Sequence, residues 1–511
     1  MRIVTCGDDM AENLVAIFLD RQTAFGAKPA IVWRDTPVID FAGVPAMIGR
    51  YRAALTALGV KRGDRVMVKT ENSPSFVYTY LAVLASGAIF VPMNAAYTAA
   101  EVALLIEDAE PALLVHAAAT PVPGQDAAPV KRMTLEPDGS GSLPDLALSL
   151  EPDLSIEAVA SSDLAAILFT SGTTGRPKGA MLSHGNLSSN VAALHEAWHF
   201  SSDDSILHTL PLFHAHGLFV ALHLALYNAA TLVMLPKFNA ADVIQGLGLV
   251  SVFMGVPTFY ARLLAEPAFD RDVCGTIRLF VSGSAPLLPS VFEAFEARTG
   301  HRILERYGMT EALMITSNAY AQEGRIAGTV GYPLPGVSLN VVDADRNRLP
   351  AGEVGEIEIK GPNLCAGYWR RPEATAESFY ADGFFRTGDT GRKDADGRVT
   401  IVGRSKDLII SGGFNVYPAE VEILLAEVAG VVDVAVFGVP HPDFGEAVVA
   451  AVTVDGPDFD VAALEAAAAA NLARFKQPKA IHVLSELPRN AMGKVVKTEL
   501  RKRYAESFTS S

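Results

Sequence analysis

Apolar and polar positions run along this chain in two rhythms. Residues 65–70 (Arg-Val-Met-Val-Lys-Thr) alternate with period two, as a strand does, and 165–169 form a short apolar run of strand length. Residues 47–58 and 75–84 carry helical spacing, the first ending near Gly59. Further strands are expected at 88–91, 113–116, 230–235 and 277–281, and at 303–311 as the chain enters a polar turn. A helix that carries Arg262 follows residues 253–260. Strand–helix alternation over this length predicts α/β architecture with mostly parallel sheets. Residues 118–160, rich in Ala, Pro, Gly and Asp, read as a surface connection.

From residue 330 the rhythm changes. Gly331, Pro333, Pro335, Gly336, Gly352, Gly355 and Gly361 punctuate short alternating runs such as 354–360, which predicts a β-rich subdomain over about 330–403. Beyond Gly403 comes a last α+β unit with helix 418–428, strand 432–438, helix 461–474 and strand 480–484. The expected division is a large domain over 1–403 and a small one over 404–511.

Composition narrows the function class. A chain of 511 residues is too long for a single core. A net charge of −15 argues against a nucleic-acid binder but leaves room for a local cationic pocket. Cys6, Cys274 and Cys365 show no close pairing, so neither a disulfide framework nor a Cys-rich metal site is expected. Acidic residues interrupt the N-terminus, and the longest apolar stretch, 218–226, is too short to span a bilayer. The expectation is a soluble, cytoplasmic protein with small-molecule substrates and no obligatory protein partner.

Residues 167–179 read Ile-Leu-Phe-Thr-Ser-Gly-Thr-Thr-Gly-Arg-Pro-Lys-Gly. Glycines let backbone N–H groups turn toward an anion. Thr170, Ser171, Thr173 and Thr174 add hydroxyls, Gly172 and Gly175 the freedom to turn, and Lys178 a charge that reaches a phosphate. These are the parts of a polyphosphate cradle. It is not a Walker A loop, because Lys178 is followed by Gly179 rather than Ser or Thr.

This string resembles the phosphate loop of the adenylate-forming enzymes: acyl-CoA synthetases, aryl-CoA ligases, luciferases and peptide-synthetase adenylation domains. Four further stretches between residues 284 and 494 match that family in order. The resemblance implies ATP, Mg²⁺ and coenzyme A as ligands. Glu311, in Tyr307-Gly308-Met309-Thr310-Glu311, would hold Mg²⁺, and Thr310 would contact the α-phosphate. Ser284-Ala285-Pro286 and Glu305-Arg306-Tyr307 would form the adenine pocket. Asp389 would accept from the ribose hydroxyls, with Arg404 as its basic partner. Lys494, in Gly493-Lys494, would stabilise the attack of a carboxylate on the α-phosphorus, joined by Thr170, Lys178 and Glu311. In this family the small domain is mobile. Lys406 falls at its hinge, and Ser411-Gly412-Gly413 would border the CoA channel.

The acid substrate is read from Glu305-Arg306-Tyr307, where many relatives carry Gly before the Tyr-Gly. Arg306, with 257–262 (Pro-Thr-Phe-Tyr-Ala-Arg) and 210–217 (Leu-Pro-Leu-Phe-His-Ala-His-Gly), resembles malonyl-CoA synthetases. A dicarboxylate keeps one carboxylate after the other is activated, and burying it requires a cation. The expected clamp is Arg306 with Arg262, with His214 lining the pocket. Ala312 and Ile315 stand where Thr and Asn are expected, so methylmalonate or another short acid stays open. A stand-alone loader of a carrier protein is the other alternative.

Overall fold

The structure is a computed structural model that describes residues 13–124, 130–170, 177–456, 459–490 and 494–508. Two sheets with parallel centres form the large part. One has nine strands; its middle holds Ser205–His208, Val252–Gly255, Leu279–Ser282 and Leu304–Met309, all parallel. The other has six, with Arg65–Lys69, Ile89–Pro92, Leu113–His116 and Leu164–Thr170 parallel. The alternation of side chains sorts their faces. Val66, Val68, Val252 and Met254 point into one central cluster between the sheets, whereas Met67 and Phe253 belong to separate outer clusters.

Helices Leu14–Gln22, Pro74–Ala85 and His184–Ala197 share the central cluster. Pro74–Ala85 is apolar on nearly every side because it is buried on every side, so its sequence lacks a polar stripe. Its start is set by Ser73, whose hydroxyl accepts from Phe76 N, and by Pro74 in the first turn.

Residues 118–160 are more than a connection. Lys131–Thr134 adds an edge strand to the six-stranded sheet, and Ser142–Ser149 is a helix. The strand is half-exposed, so it lacks the apolar run that marks its neighbours. The β-rich subdomain is a four-stranded antiparallel sheet: Ser338–Val342, Gly355–Lys360, Phe385–Lys393 and Val399–Arg404.

A turn, Ser405–Asp407, leads directly from Val399–Arg404 into a final five-stranded sheet. That sheet has a cluster on each face: Val434 and Val436 on one, Ala435 and Phe437 on the other. Its central strand, Gly445–Val454, is absent from the sequence reading. Asp407 is ion-paired with Arg501 of the last helix, Lys497–Arg503, at 2.9 Å. Among the described residues no helix is long and apolar enough to cross a membrane. Cys274 and Cys365 are buried and free; Cys6 lies outside the described residues.

Candidate active site

The parallel strands deliver their carboxyl ends to one cleft, where open α/β sheets place ligands. Thr170 ends a strand of the six-stranded sheet and pairs in register with Lys178. Its Oγ1 donates to Lys178 O at 3.3 Å, which closes the neck of the phosphate loop. Ser171, Gly172, Thr173, Thr174 and Gly175 lie outside the described residues. Lys178 Nζ sits 5.4 Å from the Tyr368 ring centroid, and Tyr368 Oη donates to Glu311 Oε1 at 2.9 Å. Tyr368 thus ties two sequence-distant stretches together; nothing in the motif pattern singled it out. Glu311 is buried, and its backbone carbonyl accepts from Cys365 N at 2.7 Å.

Asp389 and Arg404, expected at the ribose, are cross-strand partners, with Arg404 Nε 3.1 Å from Asp389 Oδ1. Tyr307 Oη donates to Asp389 Oδ2. Burial raises the Asp389 pKa above the ordinary carboxylate value, opposed by Arg404, Tyr307, Lys494 and Lys406. Glu305 is buried and accepts from Leu287 N at 3.0 Å, just beyond Ser284-Ala285-Pro286. Burial lifts its pKa to about 8.

Lys494 is the residue that joins these groups from the small unit. Its backbone is held from both sides by Asn490: Lys494 N donates to Asn490 Oδ1 at 3.0 Å, and Asn490 N to Lys494 O at 2.9 Å. The residue is exposed, but the surrounding protein partly desolvates its ammonium; that, with Arg404 and Arg306 nearby and Asp389 opposing, lowers its pKa to about 8. The cation is therefore present below about pH 8 and lost above it. The kcat/KM for acid-dependent pyrophosphate exchange, which reports the free enzyme, should fall as pH rises through about 8. Lys494→Arg, if active, should move that descending limb to higher pH.

The acid end of the cleft is built around Arg306, which is 3% exposed. Its Nε and Nη2 have no hydrogen-bond partner, and burial lowers its pKa to about 9. The guanidinium lies on Gly283, where an added Cβ would fall 2.4 Å from Cζ. His214 and His216 are held neutral by burial, and both feel the Arg306 charge. The Tyr260 hydroxyl is committed to Val281 O at 2.6 Å. His216 Nε2 is also buried without a partner. A buried guanidinium with unsatisfied N–H groups beside such an imidazole marks a place built for a polar ligand.

Arg262 is not part of this group. It is exposed, two residues beyond buried Tyr260 on helix Pro257–Leu264, hence about 200° around the helix from it. Its guanidinium is hydrated rather than poised to neutralise a buried carboxylate. On the small unit, Ser411 is buried, and Gly412 and Gly413 adopt φ of +60° and +83° in the hairpin between Ile409–Ser411 and Phe414–Val416.

The family model for AMP-binding enzymes matches residues 18–369, and that for the AMP-binding enzyme C-terminal domain matches 420–494. The chain belongs to the AMP-binding enzyme family. Within it, the chain is 37% identical to a malonate–CoA ligase from Arabidopsis thaliana, over 87% of this chain and 78% of that protein. A feruloyl-CoA synthase from an Amycolatopsis species is 35% identical over 91% and 94%. The crystal structure of ATP-bound MatB from Rhodopseudomonas palustris superposes with a TM-score of 0.93 at 45% identity, covering 97% of this chain and 99% of MatB. AMP-binding enzymes at similar identity thus take different acids, and the choice of acid rests on the pocket of this chain.

Proposed function

We propose that this protein ligates malonate to coenzyme A through a malonyl-adenylate, releasing pyrophosphate and then AMP. The observation that carries the reading is the buried, unpaired Arg306 guanidinium at the acid end of the cleft. An unpartnered buried charge is costly, and a ligand carboxylate offsets that cost with two parallel N–H···O bonds. A monocarboxylate, once bound for activation, has no such group to give.

In the first step a substrate carboxylate oxygen attacks the α-phosphorus, and the bond to pyrophosphate breaks. Lys494 supplies positive charge where the two anions meet, and Thr170 and Lys178 flank the polyphosphate. Asp389, oriented by Tyr307 and Arg404, receives the ribose hydroxyls. Glu311 fits a hard cation that takes one or two carboxylates and otherwise phosphate oxygens and water. Mg²⁺ held there would neutralise phosphate charge. In the second step the CoA sulfur attacks the acyl carbon and AMP leaves. The glycines at 412 and 413 suit the close passage of a thin pantetheine arm. A division at 403/404, with Lys406 in the connecting turn, is part of the same proposal.

A panel of carboxylic acids assayed for AMP release, with and without CoA, tests the reading. Malonate should lead, and release should depend on CoA. A leading aryl or long monocarboxylate would refute it, and sustained CoA-dependent release with methylmalonate would widen it. Separately, Glu311→Gln should shift the Mg²⁺ titration to higher concentration; an unchanged titration removes Glu311 from the metal site.

A further inference from the structure

We propose that Asn72 and Tyr80, just before and in the second turn of helix Pro74–Ala85, are positioning residues that together hold the π-helical turn His216–Leu222 and so keep the acid end of the cleft in shape. The inference rests on the placing of the acid beside Arg306 in the reading above and adds to it how that end is built.

After strand Ser205–His208 the chain leaves its sheet, and residues 209–214 have no strand to pair with. Leu210 and Leu212 are buried all the same, and Pro211 between them has no N–H to offer. Asn72, itself buried, supplies the missing partners. Its Nδ2 donates to Leu210 O at 2.9 Å, and its Oδ1 accepts from Leu212 N at 2.8 Å. One side-chain amide thus pairs with the loop as a strand backbone would. Gly217 lies against the same loop, where an added Cβ would fall 2.3 Å from Pro211 O.

Beyond the turn, the chain continues as helix His223–Tyr227. His223 Nε2 lies 2.7 Å from Tyr80 Oη, and both residues are fully buried. Asn72 and Tyr80 belong to one stiff stretch, because Ser73 between them caps the helix that carries Tyr80. The segment from Leu210 to His223, which belongs to the nine-stranded side, is therefore tied at both ends to a helix of the six-stranded side. A π-helical turn is an uncommon backbone state, met mostly as a single turn inside an α-helix. It winds more residues into a turn than an α-helix does. Relaxation to α-helix would rotate His216 and the loop before it relative to His223. His214 and His216 both feel the Arg306 charge, so that rotation would reshape the space beside the guanidinium. Two ties to one helix leave the turn a single register. None of the residues expected at the nucleotide lies on this segment.

The test measures the malonate and ATP KM in the AMP-release assay, and the melting temperature, for Asn72→Ala, Tyr80→Phe and the double variant Tyr80→Phe/His223→Leu. Asn72→Ala leaves a buried carbonyl and a buried N–H unpaired and should raise the malonate KM on the order of tenfold, with the ATP KM unchanged. Tyr80→Phe should raise the malonate KM several-fold, again with the ATP KM unchanged, and it decides should Asn72→Ala not fold. The double variant separates positioning from the mere pairing of buried groups. Replacing both partners of a buried hydrogen bond by apolar groups can be nearly neutral for stability, so the melting temperature should recover while the malonate KM stays raised. A malonate KM within about twofold of wild type in either single variant overturns the inference. So does an ATP KM that rises in step, or a malonate KM that recovers with the melting temperature in the double variant. A wild type that prefers butyrate overturns the dicarboxylate reading alone, and the same thresholds then apply to the butyrate KM.

Discussion

Lys494→Ala should lose malonate-dependent pyrophosphate exchange by a factor of about 10²–10³ or more, while thioester formation from supplied malonyl-adenylate proceeds at close to the wild-type rate. The first step brings a carboxylate to a triphosphate, and the charge that offsets their repulsion is set in place beforehand. Removing one such preorganised group costs on the order of 3–4 kcal/mol. The ammonium lies within electrostatic reach of Arg306 and Asp389 on the large part of the molecule and of Arg404 at its boundary, although it is borne by the small one. On the proposed mechanism it belongs to the arrangement that forms the adenylate, and the second step should proceed without it. The check is to measure the two half-reactions separately; a parallel fall in both would mean that Lys494 supports the fold or both steps alike.

Arg306→Leu should collapse the ratio of specificity constants for malonate over butyrate, which in wild type should be on the order of 10⁴. One charge pair at about 4 Å and an effective dielectric of about 20 is worth roughly 4 kcal/mol, less the cost of stripping water from both ions. Discrimination exceeds that net affinity, because a monocarboxylate would leave the guanidinium buried and unpaired. The substitution should leave the ATP KM broadly intact. It should also hold or raise the melting temperature, since it exchanges an unpaired buried charge for an apolar side chain. Gly283→Ala offers a second route to the same result: its Cβ would occupy the place of Arg306 Cζ and push the guanidinium aside. A wild type that already favours butyrate would defeat the dicarboxylate assignment and leave the family assignment standing.

Much of the fold is legible where charged residues interrupt an apolar run in the rhythm of a strand. The observed spans Arg65–Lys69 and Gly355–Lys360 follow residues 65–70 and 354–360 closely, although Lys69 and Glu358 are themselves buried. Gly445–Val454 is missed for the opposite reason. Both of its faces are buried, in two clusters, so its sequence is a nearly unbroken run of Ala and Val with no period to detect. Of the residues expected at the nucleotide, Asp389 and Arg404, paired in the sequence reading, are one cross-strand pair. The acid side is only half legible. Arg306 stands out because charge is unusual at its place, but Arg262 carries the same charge on the wrong face of a helix. His216 stands two residues from His214, and only the three-dimensional neighbourhood separates their surroundings.

The short turn Ser405–Asp407 between the four-stranded sheet and the last one makes Lys494 a reagent on a leash. A group delivered on a tether acts at an effective concentration fixed by the length and stiffness of that tether, independent of how much protein is in the tube. With three residues, braced by the Asp407–Arg501 pair, that concentration is high and the directions of approach are few. Lengthening the turn with flexible residues would dilute the lysine without altering a single contact in the cleft. If Lys494 acts as proposed, the rate of the first step should then depend on the length of a peptide that touches no substrate.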